Sequence, residues 1–339
     1  MILFLFLLTG WLHSFPLEQK LQTRPLPVGK VNRGYKDTSR INWIGTAARP
    51  LKVSVWYPSD KIGKEKILDI PNQFTETIKI FEDGTPLKSR KYPLIILSHG
   101  SMANADQMQW LAISLASKGY IVGAVNHNGH SEEEKQSGPL PLTEICMWES
   151  PKDISAVLDH MLADSIFGPM INFNQIGVAG FSLGGATAIW MAGPRFSNER
   201  LKNHSPSPPE FLVPHIEKHM SLFKTDTIVQ RSYTRSENSF LDDRVKSVFA
   251  LGPAIGQAFS PEELNRIKIP VAIVVGEKDL IAPAEMNAEY FAEHIKNSKL
   301  TIISGEGGHY IKELSTSIQA AELKKIGEIA FNFFEKTLK

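Results

Sequence analysis

The sequence predicts an α/β fold in which a mostly parallel central sheet carries helices on both faces. Two observations predict it. Apolar runs of strand length alternate with stretches of helical period, the pattern of consecutive βα units. The middle runs are also continuously apolar rather than alternating, as expected of strands buried on both faces. A 339-residue chain with 42% hydrophobic and 22% charged residues can bury a large core.

Taken in order, "MILFLFLLTGWLHSF" opens the chain with an apolar stretch from Ile2 to Leu12. It is too short to span a membrane and suits the hydrophobic region of a signal peptide, although no Lys or Arg precedes it. Residues 1–14 are therefore read as an export signal, which implies a periplasmic or secreted protein. An apolar strand or a membrane-associating tail in a cytoplasmic protein is the alternative. "LKVSVWYP" (51–58) alternates with period two and ends at proline, as a half-buried strand would. "YPLIILSHG" (92–100) is a buried strand stopped by glycine. Met108, Leu111, Ala112, Leu115 and Ala116 then recur at helical spacing before Lys118 and Gly119, and "YIVGAVNH" (120–127) returns to strand.

Ser150 and Pro151 read as the cap and first residue of a helix whose apolar face is Ile154, Val157, Leu158 and Leu162. A short strand at "QIGVAG" (175–180) leads to a helix from about Gly185 to Met191. Further strands are predicted at 245–251, 270–276 and 299–304, and a long amphipathic helix from about Ile318 to Thr337. Between Pro194 and Leu241 the rhythm breaks. A structureless loop of that length is unusual in a compact domain, so a helix is expected from Pro214 to Phe223. The expected organisation is a single domain over 15–339 with a lid-like insertion at about 194–241, set near the sheet edge where ligands bind in open α/β folds.

Charge excludes some function classes. Lys plus Arg (37) nearly cancels Asp plus Glu (36) and no long basic run occurs, so no nucleic-acid footprint is expected. The one cysteine, Cys146, rules out an internal disulfide and a cysteine-rich metal site. His127 and His130, in "VNHNGHS", are candidates to line a cleft, but they lack an acidic or cysteine partner at metal-site spacing, so no metal is expected.

The chemistry points to "VAGFSLGGATAIW" (178–190). Gly-x-Ser-x-Gly alone is weak, since roughly one random chain in ten of this length would contain it at ordinary Gly and Ser frequencies. Its position after a predicted strand and before a predicted helix is what marks a nucleophile elbow, with Gly180, Gly184 and Gly185 leaving room for a sharp turn that presents Ser182. A serine hydroxyl needs a base, and the base an orienting acid. At an elbow of this kind the chain order is Ser, then Asp or Glu, then His. "EKDLIAP" after the 270–276 strand supplies Asp279, with Glu277 as rival, and "SGEGGHY" supplies His309. Acyl transfer also needs oxyanion donors. The backbone N–H of Leu183, directly after the serine, is one; Ser101, in "SHGS", is the choice for the other, ahead of Gly100.

The segments "LKVSVWYP", "LIILSHGSMANADQMQWLAISLASKGYIVGAVNHNGHS", "ESPKDISAVLDHML", "GVAGFSLGGATA", "IPVAIVVGEKDLIAP" and "GEGGHY" together resemble the dienelactone-hydrolase-related and platelet-activating-factor-acetylhydrolase-like branch of the α/β-hydrolases, over about residues 50–335. The resemblance implies an α/β-hydrolase fold and a serine acyl hydrolase with Ser182, Asp279 and His309 in the triad positions. Dienelactone hydrolases proper use cysteine where this chain has Ser182. The expected function is hydrolysis of a small-molecule carboxylic ester through an acyl-enzyme, with no cofactor and no stable membrane span. Phe211, Leu212, Ile216, Met220 and Phe223 are the expected apolar lining for an acyl or aryl group. An amidase, peptidase or acyltransferase is the first alternative, and a catalytically silent binding protein on the same fold the second.

Overall fold

The structure is a computed structural model that describes residues 25–68, 78–129, 145–204, 213–305, 308–309 and 316–339. The apolar start of the chain, His130, Phe211 and Leu212 lie outside the described residues. Among the described residues, ten strands form one sheet in the order β10-β9-β8-β7-β5-β6-β2-β1-β4-β3. They are β1 (Val28–Ile41), β2 (Ala48–Pro58), β3 (Lys64–Leu68), β4 (Ile78–Glu82), β5 (Tyr92–Ser98), β6 (Ile121–Asn126), β7 (Ile171–Phe181), β8 (Val245–Leu251), β9 (Val271–Gly276) and β10 (Ser298–Ile303). From β6 through β5 and β7 to β10 every pairing is parallel, while β2 joins β1 and β6 antiparallel. The sequence-predicted strands overlap β2 and β5 to β10, with ends shifted by one or two residues in most and β7 beginning four residues earlier than expected.

Helices cover both faces: α1 (Gln109–Ala116), α2 (Glu149–Ala163), α3 (Leu183–Trp190), α4 (Asn198–His204), α5 (Val213–Thr225), α6 (Thr227–Tyr233), α7 (Pro261–Leu264), α8 (Ala288–His294) and α9 (Thr316–Thr337). The period of two along β5 explains why two layers are needed. Leu94 and Ile96 enter one core with Ile154, Val157 and Leu158 of α2 and Ile189 of α3, whereas Ile95 and Leu97 enter the other with Leu111 of α1 and Phe334 of α9. A strand apolar on both faces is stable only when both are covered. Among the described residues no helix is long and apolar enough to cross a membrane.

Four expectations need correction. β2 is not half-buried: its last six residues are buried on both faces, because β1 and β6 flank it and a helix-covered core lies on each side. Ser150 does not cap α2. The helix starts at Glu149, leaving Ser150 buried inside the first turn, where Pro151 is tolerated because N–H groups there have no intrahelical acceptor. The first antiparallel strands, β1, β3 and β4, were not anticipated. The described residues of 194–241 carry three helices, α4 to α6, more than the one placed from sequence, and α5 (Val213–Thr225) encloses that predicted helix.

Candidate active site

Parallel pairing sets the ends of the central strands level. Ser98 of β5 stands opposite Gly180 of β7 and Val125 of β6, and Gly180 opposite Ala250 of β8. Everything that leaves these strands at their C-terminal ends therefore converges on one edge.

Ser182 sits between β7 and α3 with φ 55° and ψ −120°, a conformation that costs a non-glycine residue of order 1–3 kcal/mol unless its surroundings impose it. They do impose it. Its N–H donates to Leu251 O (2.9 Å), and its carbonyl accepts from Ala186 N–H (3.1 Å) and Ala254 N–H (3.2 Å). Two glycines make room for the bend. A Cβ on Gly180 would lie 2.0 Å from Gly184 O, and one on Gly184 would lie 2.2 Å from Ser98 O. Gly185 is less constrained, with its nearest neighbour at 3.1 Å from an added Cβ.

Asp279 follows β9, and His309 lies beyond β10. The structure brings both to Ser182. His309 Nε2 is 2.9 Å from Ser182 Oγ, and Nδ1 is 2.7 Å from Asp279 Oδ2. A carboxylate only accepts, so Nδ1–H donates to it and Nε2 is left to accept from the serine hydroxyl. The other carboxylate oxygen accepts the N–H groups of Ile281 (3.0 Å) and Ala282 (2.8 Å), fixing the Asp279 side chain in its own turn. Phe181 packs against the imidazole, ring centroids 4.8 Å apart. Glu277, the rival acid, points elsewhere: its N–H pairs with Ile303 O and its carboxylate accepts from Gly305 N–H (3.3 Å).

Leu183 is the first residue of α3, so its N–H has no acceptor within the helix. Ser101 lies in the turn after β5, beside the elbow: an added Cβ on Gly100 would come within 3.3 Å of Ser182 Cβ. Gly100 N–H is already committed to Gln107 Oε1 (2.8 Å). Gln107, on the turn into α1, is a contributor that sequence reasoning missed, since a glutamine seven residues from a glycine carries no local signal. His127 is buried rather than lining a cleft, with Nε2 2.9 Å from Ser98 Oγ and Nδ1 3.1 Å from Asp153 Oδ2. Of the expected apolar lining, Phe223 packs instead on Trp148 and Tyr233 (centroids 6.4 and 5.1 Å), and Met220 is exposed.

Among the cavities that the described residues form at this edge, two bear on the site. One, about 290 Å³, is mostly apolar, lined by Ala254, Ile255, Ala258, Leu280, Ile281 and Met286 among others, and adjoins Ser182 through Ala254. The other, about 480 Å³, is lined by Arg40, Arg49, Glu149, Arg231 and Arg235 and sits over a buried ionic cluster. In that cluster burial alone would raise the Asp153 carboxyl, but Arg49 and Arg40 with the His127 hydrogen bond hold it well below the usual carboxylate range. Glu149 is likewise lowered, Arg40 and Arg49 outweighing burial. Burial pushes the Cys146 thiol up to about 12, which removes it from nucleophilic chemistry near neutral pH.

Parts of the chain, and its fold, are similar to known proteins. Residues 64–135 match the family described as platelet-activating factor acetylhydrolase, isoform II, and residues 152–320 match the serine hydrolase (FSH1) family. Lipase 1 of Moraxella sp. (strain TA144) is 28% identical over 131 residues, 38% of this chain, and the match spans about a third (34%) of the lipase. A solved structure, a ferulic acid esterase from Streptomyces cinnamoneus, superposes with a TM-score of 0.62 over 92% of this chain and 90% of its own, at 18% identity, a likeness of fold. The fold is thus that of an α/β-hydrolase, and residues 64–135 and 152–320 are similar to the acetylhydrolase and serine hydrolase families that they match.

Proposed function

We propose that the chain is a serine carboxylic ester hydrolase working through an acyl-enzyme. The observation that carries this is the unbroken hydrogen-bonded chain Ser182, His309, Asp279 at a strained strand-to-helix turn. His309 takes the Ser182 proton as Oγ attacks the ester carbonyl, and it returns that proton to the departing alkoxide. It then deprotonates the water that releases the acid, while Asp279 holds the ring and offsets the imidazolium charge. The backbone N–H groups of Leu183 and Ser101 stabilise the oxyanion. The family matches and the similarity to a lipase support an ester as the bond attacked.

The 290 Å³ cavity beside Ser182 takes an apolar acyl or aryl group of modest size. Helix α4, in the 194–241 segment, contributes Leu201 and His204 to its lining, and Arg200 ties that helix to Gln257 O (3.0 Å) and Tyr290 Oη (2.9 Å). The lid-like insertion thus acts as a wall of the acyl site. Export, read from the apolar start of the sequence, belongs to the same proposal; N-terminal sequencing of the native protein tests it.

A panel of nitrophenyl esters of increasing chain length, run beside Ser182→Ala, tests the function. Hydrolysis that peaks at short to medium chains and disappears in the variant is expected. Full activity in Ser182→Ala overturns the nucleophile, and faster cleavage of matched anilides overturns the ester preference.

A further inference from the structure

The molecule holds a second hydrogen-bonded Ser, His, Asp chain that the reaction does not use. Ser98, His127 and Asp153 are each at most 2% exposed, so no substrate reaches them. Ser98 ends β5, His127 follows β6, and Asp153 projects from the first turns of α2. Arg49 grips the Asp153 carboxylate with two nitrogens (2.7 and 2.9 Å), and Arg40 adds a third contact at 2.6 Å. A carboxylate held this way accepts only, so it fixes the proton on His127 Nδ1, and Nε2 must accept from the Ser98 hydroxyl.

From there the chain of contacts runs toward Ser182. His127 backbone N–H points at His99 Nε2 (3.4 Å), a long contact, with the two rings 5.1 Å apart. That leaves the His99 proton on Nδ1, which donates to Gly100 O at 2.7 Å. The Gly100 carbonyl and the Ser101 N–H belong to one planar peptide unit, so holding the oxygen orients the N–H. The same turn is braced from below. Ser98 O and His99 O lie against Gly184, and Gly100 N–H is held by Gln107.

We propose that the buried Asp153–His127–Ser98 chain is a positioning device that holds the His99–Gly100–Ser101 turn, and so aims the Ser101 N–H at the oxyanion that forms on Ser182 attack. It rests on the ester-hydrolase reading above. His127, Ser98 and Asp153 are positioning residues, since none touches the reacting atoms. The arrangement supplies rigidity where it is needed: a donor must sit where the oxyanion will be, and a misplacement of about 1 Å can cost about 100-fold in rate.

The test compares His127→Phe, which keeps a ring but removes both hydrogen bonds, with Ser98→Ala, which removes one oxygen. Ser232→Ala serves as the control. It breaks the buried Trp148–Ser232–Glu149 contacts in the same ionic cluster without touching His127 or the site. For each, kcat and KM on a nitrophenyl ester, affinity for an alkylboronic acid and the melting temperature are measured. The boronic acid forms a tetrahedral adduct with the serine whose oxygen occupies the oxyanion position. In His127→Phe, kcat and boronate affinity are expected to fall together by about 10- to 100-fold with KM little changed, with a smaller parallel fall in Ser98→Ala. Ser232→Ala is expected to lower the melting temperature alone. Unchanged kcat and boronate affinity in both variants, or an equal loss in Ser232→Ala, overturns the proposal. If His127→Phe does not fold, Ser98→Ala decides. Absence of Ser182-dependent hydrolysis in the unaltered protein is a different result: it defeats the ester-hydrolase reading, and this proposal with it.

Discussion

Two chains of the same three residue types, joined in the same order, lie at one edge of this sheet. In one, Ser182 is raised on a strained turn and His309 reaches it from a loop, its ring held by a single carboxylate whose other contacts are backbone N–H groups. In the other, Ser98 ends a central strand, and the aspartate behind the imidazole is clamped by two arginines. The lesson is that hydrogen-bond order does not make a nucleophile. Ser182 keeps some exposure beside a cavity-lining residue, Ala254, whereas Ser98 is fully buried. A serine that cannot meet an acyl carbon is a support, however well its histidine is oriented.

Breaking each chain at its acid separates the roles. Asp279→Asn leaves the volume unchanged but disfavours the required tautomer, so kcat is expected to fall by about 10⁴-fold with the melting temperature nearly unchanged; stopped assays on a nitrophenyl ester and a thermal melt check both. Arg49→Met strikes the other chain. It leaves Asp153 with less compensation in a buried site, and the expected cost is about 3–5 kcal/mol of folding stability, read by urea denaturation. A measured cost under 1 kcal/mol there would mean that the ionic cluster contributes little.

Acid should distinguish the two regions further. Asp153, Glu149 and Asp37 all have folded values held below the ordinary carboxylate range. Their contribution is thus complete above the unfolded values, near pH 4, and is lost as pH falls from there through the folded values. Stability is therefore expected to be flat from about pH 7 to 5 and to decline progressively below about 4.5. Asp153→Asn should flatten that decline, as read by denaturant midpoints across pH. The smallest effect sharpens the contrast by negation. Cys146, with its thiol pushed up to about 12, is expected not to react with a disulfide reagent at pH 8 until the protein is unfolded, and its alkylation in denaturant should recover one equivalent.

The residues of the candidate reactive chain can be picked out in the sequence because each has a local mark, and the structure brings them within hydrogen-bond distance. Ser182 stands between glycines whose need is steric, and Asp279 and His309 each follow an apolar run by a few residues. The supporting chain has no such mark. Arg49 and Asp153 are 104 residues apart, and the pairing exists only because β2 runs antiparallel to β6 and carries Arg49 back to the sheet edge near α2. β1 was missed for a related reason. Its sequence, VGKVNRGYKDTSRI, is polar because much of the strand is exposed, so the apolar alternation that betrays a strand is absent. Phe223 was misread because a helix face that packs on Trp148 and one that lines a cleft have the same spacing.

The order of strands carries a further consequence. β7, which presents Ser182, has neighbours on both sides, whereas β10, from which the chain runs on to His309, is an edge strand and, among the described residues, is paired only with β9. An outer strand releases fewer hydrogen bonds when it peels away, so it belongs among the parts of a protein that open first. The imidazole and the hydroxyl are thus delivered by parts of unequal tenacity. On warming, turnover would fade before the melt begins, and cooling would bring it back.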